Sequence, residues 1–524
     1  MSDMSDAARW SEPAAATTGR RNIWLACLIA LTGLLVLGNL ANDAALDVKF
    51  GWDVRVNCAA VDAYAGGLDP YFVKNLKGTK LSYPYLPVTL DVFRPLCAGG
   101  VLVDHYRSIF LVLAVLCGLL LPGLARTRPS ARDAALRVLC AIGAFVGFEW
   151  VEASGNFALL SGVLTAVALK LLLRPLRSEA GGDQDFTWRL AGAALLGLVT
   201  SFKLVFFPVL AALYFLPLPR GRKLALIAVA ILSFVVPILI SKLLYPDLFA
   251  SWQLAMAGQI PDQHHVDLLE TNPSLLLLAL SLMEHAGLGD GKPALFASYA
   301  LAALALVLVP FGLSVLRMVG SRPAGGGRSH MLSRGLSAGL LRLSRLRERP
   351  TRSQSAAGEG SRRAGTYSAN SQQPQRGDTL SPTLPRKRGR EPSADAAASC
   401  TPYAIALPAG GGASLLMRLD LWLMDHPRTA MRVTVLAMFA LYLSSPRLKE
   451  YAFFELALYA AILIVDLPAM ALAAMLTVGL AFPTLISLLG APFEGSFILL
   501  VISLICFWIV LLDFRAEPKR LEHG

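Results

Sequence analysis

Long apolar runs with few charged residues recur along most of this 524-residue chain. Many hold about 17–25 residues, which is the length that a helix needs to cross a bilayer core of about 30 Å. Inside such a core every backbone amide has to be paired within its own segment, and this requirement favours helices. With 55% hydrophobic and 16% charged residues, the sequence predicts an all-α protein, a polytopic transmembrane helical bundle.

The apolar runs predict about 10–12 spans, because the fifth and sixth are short enough to form one broken span. Arg20 and Arg21 precede the first run, which is too long for the apolar part of a cleavable signal. We therefore interpret it as the first span. The predicted spans lie near residues 22–42, 106–125, 135–152, 156–174, 188–200, 203–218, 223–243, 293–316, 429–445, 452–466, 468–489 and 496–513.

Arginine and lysine orient these spans, because cytoplasmic loops are enriched in both. The best fit places the tails 1–21 and 515–524 in the cytoplasm. It leaves two long external loops, 43–105 and 244–292, within an N-terminal module that covers residues 22–319. The C-terminal helices occupy residues 428–514.

Residues 320–411 differ sharply in composition from the rest of the chain. Between Arg322 and Asp395 they hold fifteen Arg or Lys against five Asp or Glu, which is +10 of the net charge of +12. The stretch is rich in Ser, Gly, Pro and Gln and cannot bury enough apolar surface to fold. We predict a disordered basic cytoplasmic insertion, with a patch for anionic lipid or nucleic acid as the alternative. An interfacial amphipathic helix is predicted after it, at 412–427.

Two of the seven cysteines, Cys58 and Cys97, fall in the first external loop. A disulfide between them is possible, but two unpaired thiols are the favoured interpretation. The cysteine spacing is not that of a metal site.

A polar stretch, "GWDVRVNCAAVDAYAGGLDPY" (51–71), begins this loop, and "LSYPYLPVTL" (81–90) follows. Four later segments are "ASGNFALLSGVLTAVAL" (153–169), "AGAALLGLVTSFKLVFFPVL" (191–210), "ETNPSLLLLAL" (270–280) and "LSSPRLKEYAFF" (443–454). Taken together, these six segments resemble glycosyltransferase family 87. The resemblance covers most of the chain outside 320–410. It departs from the family pattern at Ser154 and at the displaced Pro87.

This resemblance implies a C-type (GT-C) membrane fold and a mannosyltransferase-like activity. Such enzymes take a sugar from a polyprenyl-phosphate donor and transfer it to a hydroxyl acceptor, without a metal or other cofactor. The expected location is a bacterial cytoplasmic membrane with the active site facing outward. The expected partners are membrane lipids, the lipid-linked sugar donor and a glycan or glycolipid acceptor, but no nucleic acid.

Glycosyl transfer to an alcohol needs a base that accepts the hydroxyl proton. One carboxylate suffices for a single displacement with inversion, and Asp53 is the candidate base. The alternative for Asp53 is a helix N-cap. Asp43 is a rival base, Asp62 fits a solvated helix face, and Asp69 fits either a turn or a substrate contact.

A leaving phosphate needs positive or hydrogen-bonding groups. Lys203 is a candidate because an ionisable group in a long apolar stretch is costly; snorkelling to the interface is its alternative. Arg447 and Lys449 could reach the same phosphate or could anchor the interface. The other predicted substrate contacts are Tyr71, Asn156 and His265, the last of which could equally be a surface histidine.

Two other functions fit the composition. A secondary transporter or lipid-linked-sugar flippase is the main alternative, but transporters typically contain paired repeats with binding groups at the bilayer midplane. The sequence lacks an evident internal repeat. A non-catalytic assembly protein would need no acidic residue facing a cavity.

Overall fold

Helices form nearly all the regular structure of this chain. The computed structural model describes residues 14–45, 51–124, 130–174, 182–261, 273–287, 291–320, 414–490 and 497–521. Their α-helices are α1 (Ala14–Ala45), α2 (Trp52–Ala65), α3 (Val88–Cys97), α4 (Val101–Leu120), α5 (Ala131–Gly143), α6 (Gly147–Ser154), α7 (Ala158–Leu172), α8 (Gly182–Phe202), α9 (Arg220–Leu244), α10 (Pro246–Met256), α11 (Leu275–His285), α12 (Lys292–Ala303), α13 (Val309–Gly320), α14 (Leu415–Asp425), α15 (Pro427–Leu443), α16 (Phe453–Leu463), α17 (Ala469–Leu476), α18 (Phe482–Leu488) and α19 (Ile498–Leu521).

The predicted fold class is confirmed, since the described residues form helices without a β-strand. Within the part of the chain that the structure describes, six helical stretches are long and apolar enough to cross a membrane: Ile23–Asn42, Val88–Leu120, Ala131–Ser154, Arg220–Leu244, Lys292–Gly320 and Ala469–Leu488. Shorter apolar helices accompany them at Ala158–Leu172, Leu204–Phe215, Leu275–His285 and Ile498–Phe514. The protein is therefore a polytopic helical membrane protein.

The second span begins earlier than its sequence suggests. Residues Val88–Leu120 form one apolar helical stretch, although Pro95 and the pair Gly99–Gly100 make the first part look like a loop. Both glycines have positive φ angles, 72° and 73°, which turn the chain between α3 and α4 without ending the span. Much of the predicted external loop 43–105 is therefore helical.

The third span is broken in its middle. Between α5 and α6 two bulky residues, Phe145 and Val146, have φ angles of 56° and 45°. Left-handed backbone is rare for such side chains, and both are buried. The backbone of Gly147 then lies so close to Phe454 that an added Cβ would clash with the backbone nitrogen of Phe454. This close approach packs α6 against the start of α16.

The centre of the bundle is made by α15 and α16. Every residue of α16 is buried, as are most of α15. Both were predicted as spans, but α16 has only 11 residues. Burial on every side explains why its sequence, apart from Glu455 and Tyr459, is apolar around the helix.

A second break separates α8 from the segment that follows it. Lys203 lies at this point, and residues Leu204–Phe215 then form a 3₁₀ helix of 12 residues. Such helices are rarely longer than four residues. The sequence anticipates a discontinuity here, with two short spans or one broken span, and Lys203 marks its position.

The predicted amphipathic helix at 412–427 corresponds to α14. Its Asp420 is buried and pairs with Lys223 of α9, at 2.7 Å between Nζ and Oδ1. Leu415 and Leu416 are exposed. The insertion predicted at 320–411 lies almost entirely outside the described residues.

The favoured interpretation of Cys58 and Cys97 is wrong. The two form a disulfide, with a Cα–Cα distance of 5.3 Å, which joins α2 to the end of α3. They are 39 positions apart in the sequence, and a pairing of this kind cannot be deduced from the sequence of a single chain.

Candidate functional site

Asp53 lies in the first turn of α2, and its carboxylate meets the side chain of Asn156. The Asn156 amide nitrogen donates to Oδ2 of Asp53 at 2.5 Å. The N-cap interpretation of Asp53 is wrong, because the cap position is Gly51 and no side-chain cap bond is made there. The residue as a whole is partly exposed, and its carboxylate is oriented by the buried Asn156 side chain.

Two glycines bring these residues together. Gly51, with a φ of 82°, donates its backbone N–H to the Ala153 carbonyl at 2.8 Å. Gly155, with a φ of 67°, ends α6 so close to α2 that an added Cβ would lie 2.9 Å from Val54. Only glycine combines such a backbone with such a close approach. The start of α2 is thereby fixed against the turn that carries Asn156.

Asn156 is itself held in one orientation. Its side-chain oxygen accepts the backbone N–H of Ala158 at 2.8 Å, at the start of α7. Its amide nitrogen therefore points toward Asp53. Asn156 is only 4% exposed, so this amide is fixed as a donor.

Two lysines, Lys203 and Lys449, provide positive charge near Asp53. Burial raises the pKa of the Asp53 carboxyl above its usual value, while the Asn156 hydrogen bond, Lys449 and Lys203 oppose that rise. Negative charge on Glu455 and on Asp53 favours the charged form of Lys203. The pKa of Lys449 is lowered, first by burial and then by Arg447.

The ammonium group of Lys203 has an unusual environment. It is buried without a hydrogen-bond partner and lies 4.4 Å from the centre of the Tyr451 ring. A cation over an aromatic ring is attracted by the ring's negative face. This contact favours the charged form of the lysine but leaves its N–H donors available for an anion.

An apolar cavity of about 230 Å³ adjoins Lys203. Tyr85 and Ser161 also line it, with the rest of the wall aliphatic or aromatic: Val92, Phe93, Leu113, Phe157, Leu160, Val163, Leu164 and Phe202. Because Val92 is 51% exposed, the cavity lies near the outer surface of the bundle. The Lys203 ammonium at one end and the apolar lining together match an amphiphilic ligand with an anionic head.

Asp69 and Tyr71, two of the predicted substrate contacts, form hydrogen bonds within the protein that stabilise the loop after α2. Asp69 accepts hydrogen bonds from the Tyr71 backbone at 2.9 Å and from the Ser251 hydroxyl at 2.6 Å. Tyr71 is fully buried, and its hydroxyl donates to the Tyr85 carbonyl at 2.7 Å. The contacts of Asp69 are those of its turn interpretation.

The remaining candidates are spread over several places. Arg447 is exposed, two residues from Lys449, and Asp62 is exposed on α2. His265 lies outside the described residues, as does the side chain of Asp43. The structure thus brings together Asp53, Asn156, Lys203 and Lys449, with Arg447 nearby.

Tyr451 and Glu455 belong to the same cluster and were missed at the sequence level. Glu455 is only 5% exposed and accepts a hydrogen bond from Ser161 at 2.9 Å. The available signal was the occurrence of Glu455 inside the apolar run 452–466, where an ionisable residue is costly. Among the described residues, no group of three or more His, Cys, Asp or Glu side chains could hold a metal ion.

Fold and site define a polytopic helical membrane protein with a carboxylate, an amide and two lysines clustered beside an apolar cavity. Comparison with protein-family models, with curated proteins and with solved structures found no match.

Proposed function

We propose that this protein is a membrane glycosyltransferase of the C type. It moves a sugar from a polyprenyl-phosphate donor to a hydroxyl acceptor, with Asp53 as the general base. The observation that carries the proposal is the placement of the Asn156-bound carboxylate of Asp53 near the positive charges of Lys203 and Lys449. The motif resemblance to glycosyltransferase family 87 supports it independently.

The donor fits the chemistry of the cavity. Its polyprenyl chain is apolar and matches the aromatic and aliphatic wall, while its phosphate is an anion that pairs with Lys203 at the cavity and with Lys449 nearby. Burial strengthens such a pairing, because charges interact more strongly in a low dielectric.

The transfer proceeds as one displacement. The acceptor hydroxyl attacks the anomeric carbon of the sugar while Asp53 takes its proton. The bond between that carbon and the phosphate oxygen breaks, and the polyprenyl phosphate leaves with the bonding electron pair. Lys203 and Lys449 stabilise the charge that develops on it. A single displacement inverts the configuration at the anomeric carbon.

The site is proposed to face outward from a bacterial cytoplasmic membrane, with both chain termini in the cytoplasm. The disulfide between Cys58 and Cys97 lies on the same helix as Asp53. Disulfides persist in oxidising compartments such as the periplasm and are rare in the cytosol. Nucleotide sugars are not found on that side, which favours a donor delivered by the membrane.

A secondary transporter or lipid-linked-sugar flippase is the second candidate, and one observation favours it. The break at Phe145 and Val146 makes the third span discontinuous, a feature of many transporters. Glu149 follows the break and accepts hydrogen bonds from Asn39 at 2.7 Å and from Ser487 at 2.5 Å. Ionisable groups within spans often belong to transport pathways.

An assay with purified protein in liposomes separates the two. The liposomes carry a polyprenyl-phosphate sugar with a radiolabelled sugar, in parallel preparations for mannose and arabinofuranose, and an extract of cell-envelope glycolipids supplies the acceptors. Transfer predicts that label leaves the carrier and appears on an acceptor. Label that crosses the bilayer while still attached to its carrier would contradict the proposal and favour the flippase.

A further inference from the structure

A second polar cluster lies where three apolar helical stretches meet, and it shares no residue with the cluster around Asp53. Glu149 of α6 accepts hydrogen bonds at both of its carboxylate oxygens, from Asn39 of α1 at 2.7 Å and from Ser487 of α18 at 2.5 Å. Polar and ionisable groups within spans are costly and often mark functional sites. The three stretches are Ile23–Asn42, Ala131–Ser154 and Ala469–Leu488.

The side-chain amide of Asn39 is held in one orientation. Its nitrogen donates to Glu149, and the reverse orientation would place the amide oxygen against a carboxylate oxygen, where neither can donate. Oδ1 of Asn39 is buried and accepts no hydrogen bond from the described residues, and the residue is only 4% exposed. A buried acceptor of this kind indicates a ligand or a water molecule beside it.

A cavity of about 10 Å³ lies beside this amide oxygen, and its polar lining consists of Asn39, Glu149 and Thr484. Thr484 is 2% exposed and precedes Ser487 by three positions on α18, so the two lie on the same face of that helix. The volume is roughly what one water molecule needs. The cavity therefore fits one small ligand and presents to it a carboxylate, an amide oxygen and a hydroxyl group.

The break in the third span lies at the same cavity. Gly143, the last residue of α5, and Val146, with its left-handed backbone, both line it. The carboxyl end of a helix carries partial negative charge, because its last carbonyl groups lack partners within the helix. Helices α1 and α5 also lie very close here, since a Cβ added to Gly143 would be 2.5 Å from Val36.

We propose that this cavity binds a sodium ion, held by the carboxylate of Glu149, Oδ1 of Asn39 and the hydroxyl of Thr484. Hard cations prefer oxygen ligands of these types. A single carboxylate matches a single positive charge, and broken helices in membrane proteins present their carboxyl ends to such ions. The ion joins α1, α6 and α18 across the break in the third span. The proposal does not depend on the proposed glycosyl transfer, because none of these residues takes part in it.

Sodium binding to the purified protein in detergent tests the site directly. Radiolabelled Na⁺ is titrated onto the wild type, and the melting temperature is compared in NaCl and in choline chloride at equal ionic strength. Saturable binding is expected, together with a higher melting temperature in NaCl, because a ligand that binds only the folded state stabilises it. Wild-type protein that binds no Na⁺ saturably and melts equally in both salts would overturn the proposal, and the cavity would then hold only water.

Three variants locate the ion. Glu149→Gln removes the negative charge, Asn39→Leu removes the amide oxygen at similar size, and Thr484→Val replaces only a hydroxyl by a methyl group. Glu149→Gln is expected to weaken Na⁺ binding by at least about tenfold, because a buried charge loses its partner, and the other two are expected to weaken it as well.

Glu284→Gln makes the same change at an exposed position of α11, and it is expected to bind Na⁺ like the wild type. A cooperative melt in choline chloride shows which variants fold, and Thr484→Val, as the smallest change, decides if the other two do not. Na⁺ binding at the wild-type affinity in every folded variant of the cavity would place the ion elsewhere and contradict the proposal.

Discussion

The amide of Asn156 donates a 2.5 Å hydrogen bond to the carboxylate of Asp53, although the two are 103 positions apart in the sequence. The bond stabilises the charged form of a carboxyl whose pKa is raised by burial. A proposed general base must be unprotonated to work. Asn156 therefore widens the pH range over which Asp53 can accept a proton.

Asn156→Ala is expected to shift the acidic limb of the pH–rate profile to higher pH. The sign follows from the charge that is stabilised: without the amide, the pKa of Asp53 rises further, so a higher pH is needed to remove its proton. Transfer rates measured between pH 4 and 9 test this. An unshifted acidic limb would show that the bond does not control the ionisation of Asp53.

Lys203 is expected to set the alkaline limb of the same profile. The charged form of the lysine holds the phosphate, and this form is lost when the ammonium deprotonates at alkaline pH. Lys203→Gln is expected to remove this limb and to raise the KM for the lipid donor. Lys242→Gln, at an exposed lysine near the end of α9, is the control and is expected to keep the limb. Persistence of the limb in Lys203→Gln would assign it to another group.

Cys58 and Cys97 are expected to resist alkylation in protein denatured without reductant and to react after reduction. Peptide mapping distinguishes them from Cys117 and Cys140, which are free thiols and should react in both cases. Replacing Cys97 by Ser should lower the melting temperature, since loss of a native disulfide costs about 2–4 kcal/mol. Cys27→Ser is the control. Alkylation of Cys58 without reductant would contradict the disulfide.

The buried pair of Lys223 and Asp420 is expected to stabilise the attachment of α14. Its side chains are 0% and 10% exposed, and removing one partner of such a pair costs about 3–5 kcal/mol because the other is left uncompensated. Asp420→Leu alone should therefore lower the melting temperature more than Asp420→Leu combined with Lys223→Met. A double variant that is no more stable than the single one would rule out this explanation.

The fold class was predictable because the lengths of the apolar runs depend on the thickness of the bilayer. The local backbone conformation was not predictable. Phe145 and Val146 have left-handed backbone that neither residue type favours, so only their tertiary surroundings can impose it. The helical character of Val88–Cys97 was hidden by Pro95 within it and by Gly99 and Gly100 just after it.

The site could be predicted in part. Asp53, Asn156, Lys203 and Lys449 all stood out as polar residues near apolar runs or within quoted motifs, and the structure brings them together. Their pairing was beyond the sequence, because it depends on the close approach of Gly51 and Gly155. Glu455 was missed, since its helix has the sequence of an ordinary span and its hydrogen-bond partner Ser161 comes from a distant segment.

Removal of the Asp53 carboxylate is the most direct test of the proposed transfer. Asp53→Asn keeps the size of the side chain, whereas Asp62→Asn makes the same change at an exposed position of the same helix. The rate of label transfer from a polyprenyl-phosphate sugar is expected to fall about 10²–10⁴-fold in Asp53→Asn and to stay at the wild-type level in Asp62→Asn. Transfer at the wild-type rate by Asp53→Asn would contradict the assignment of this residue as the base.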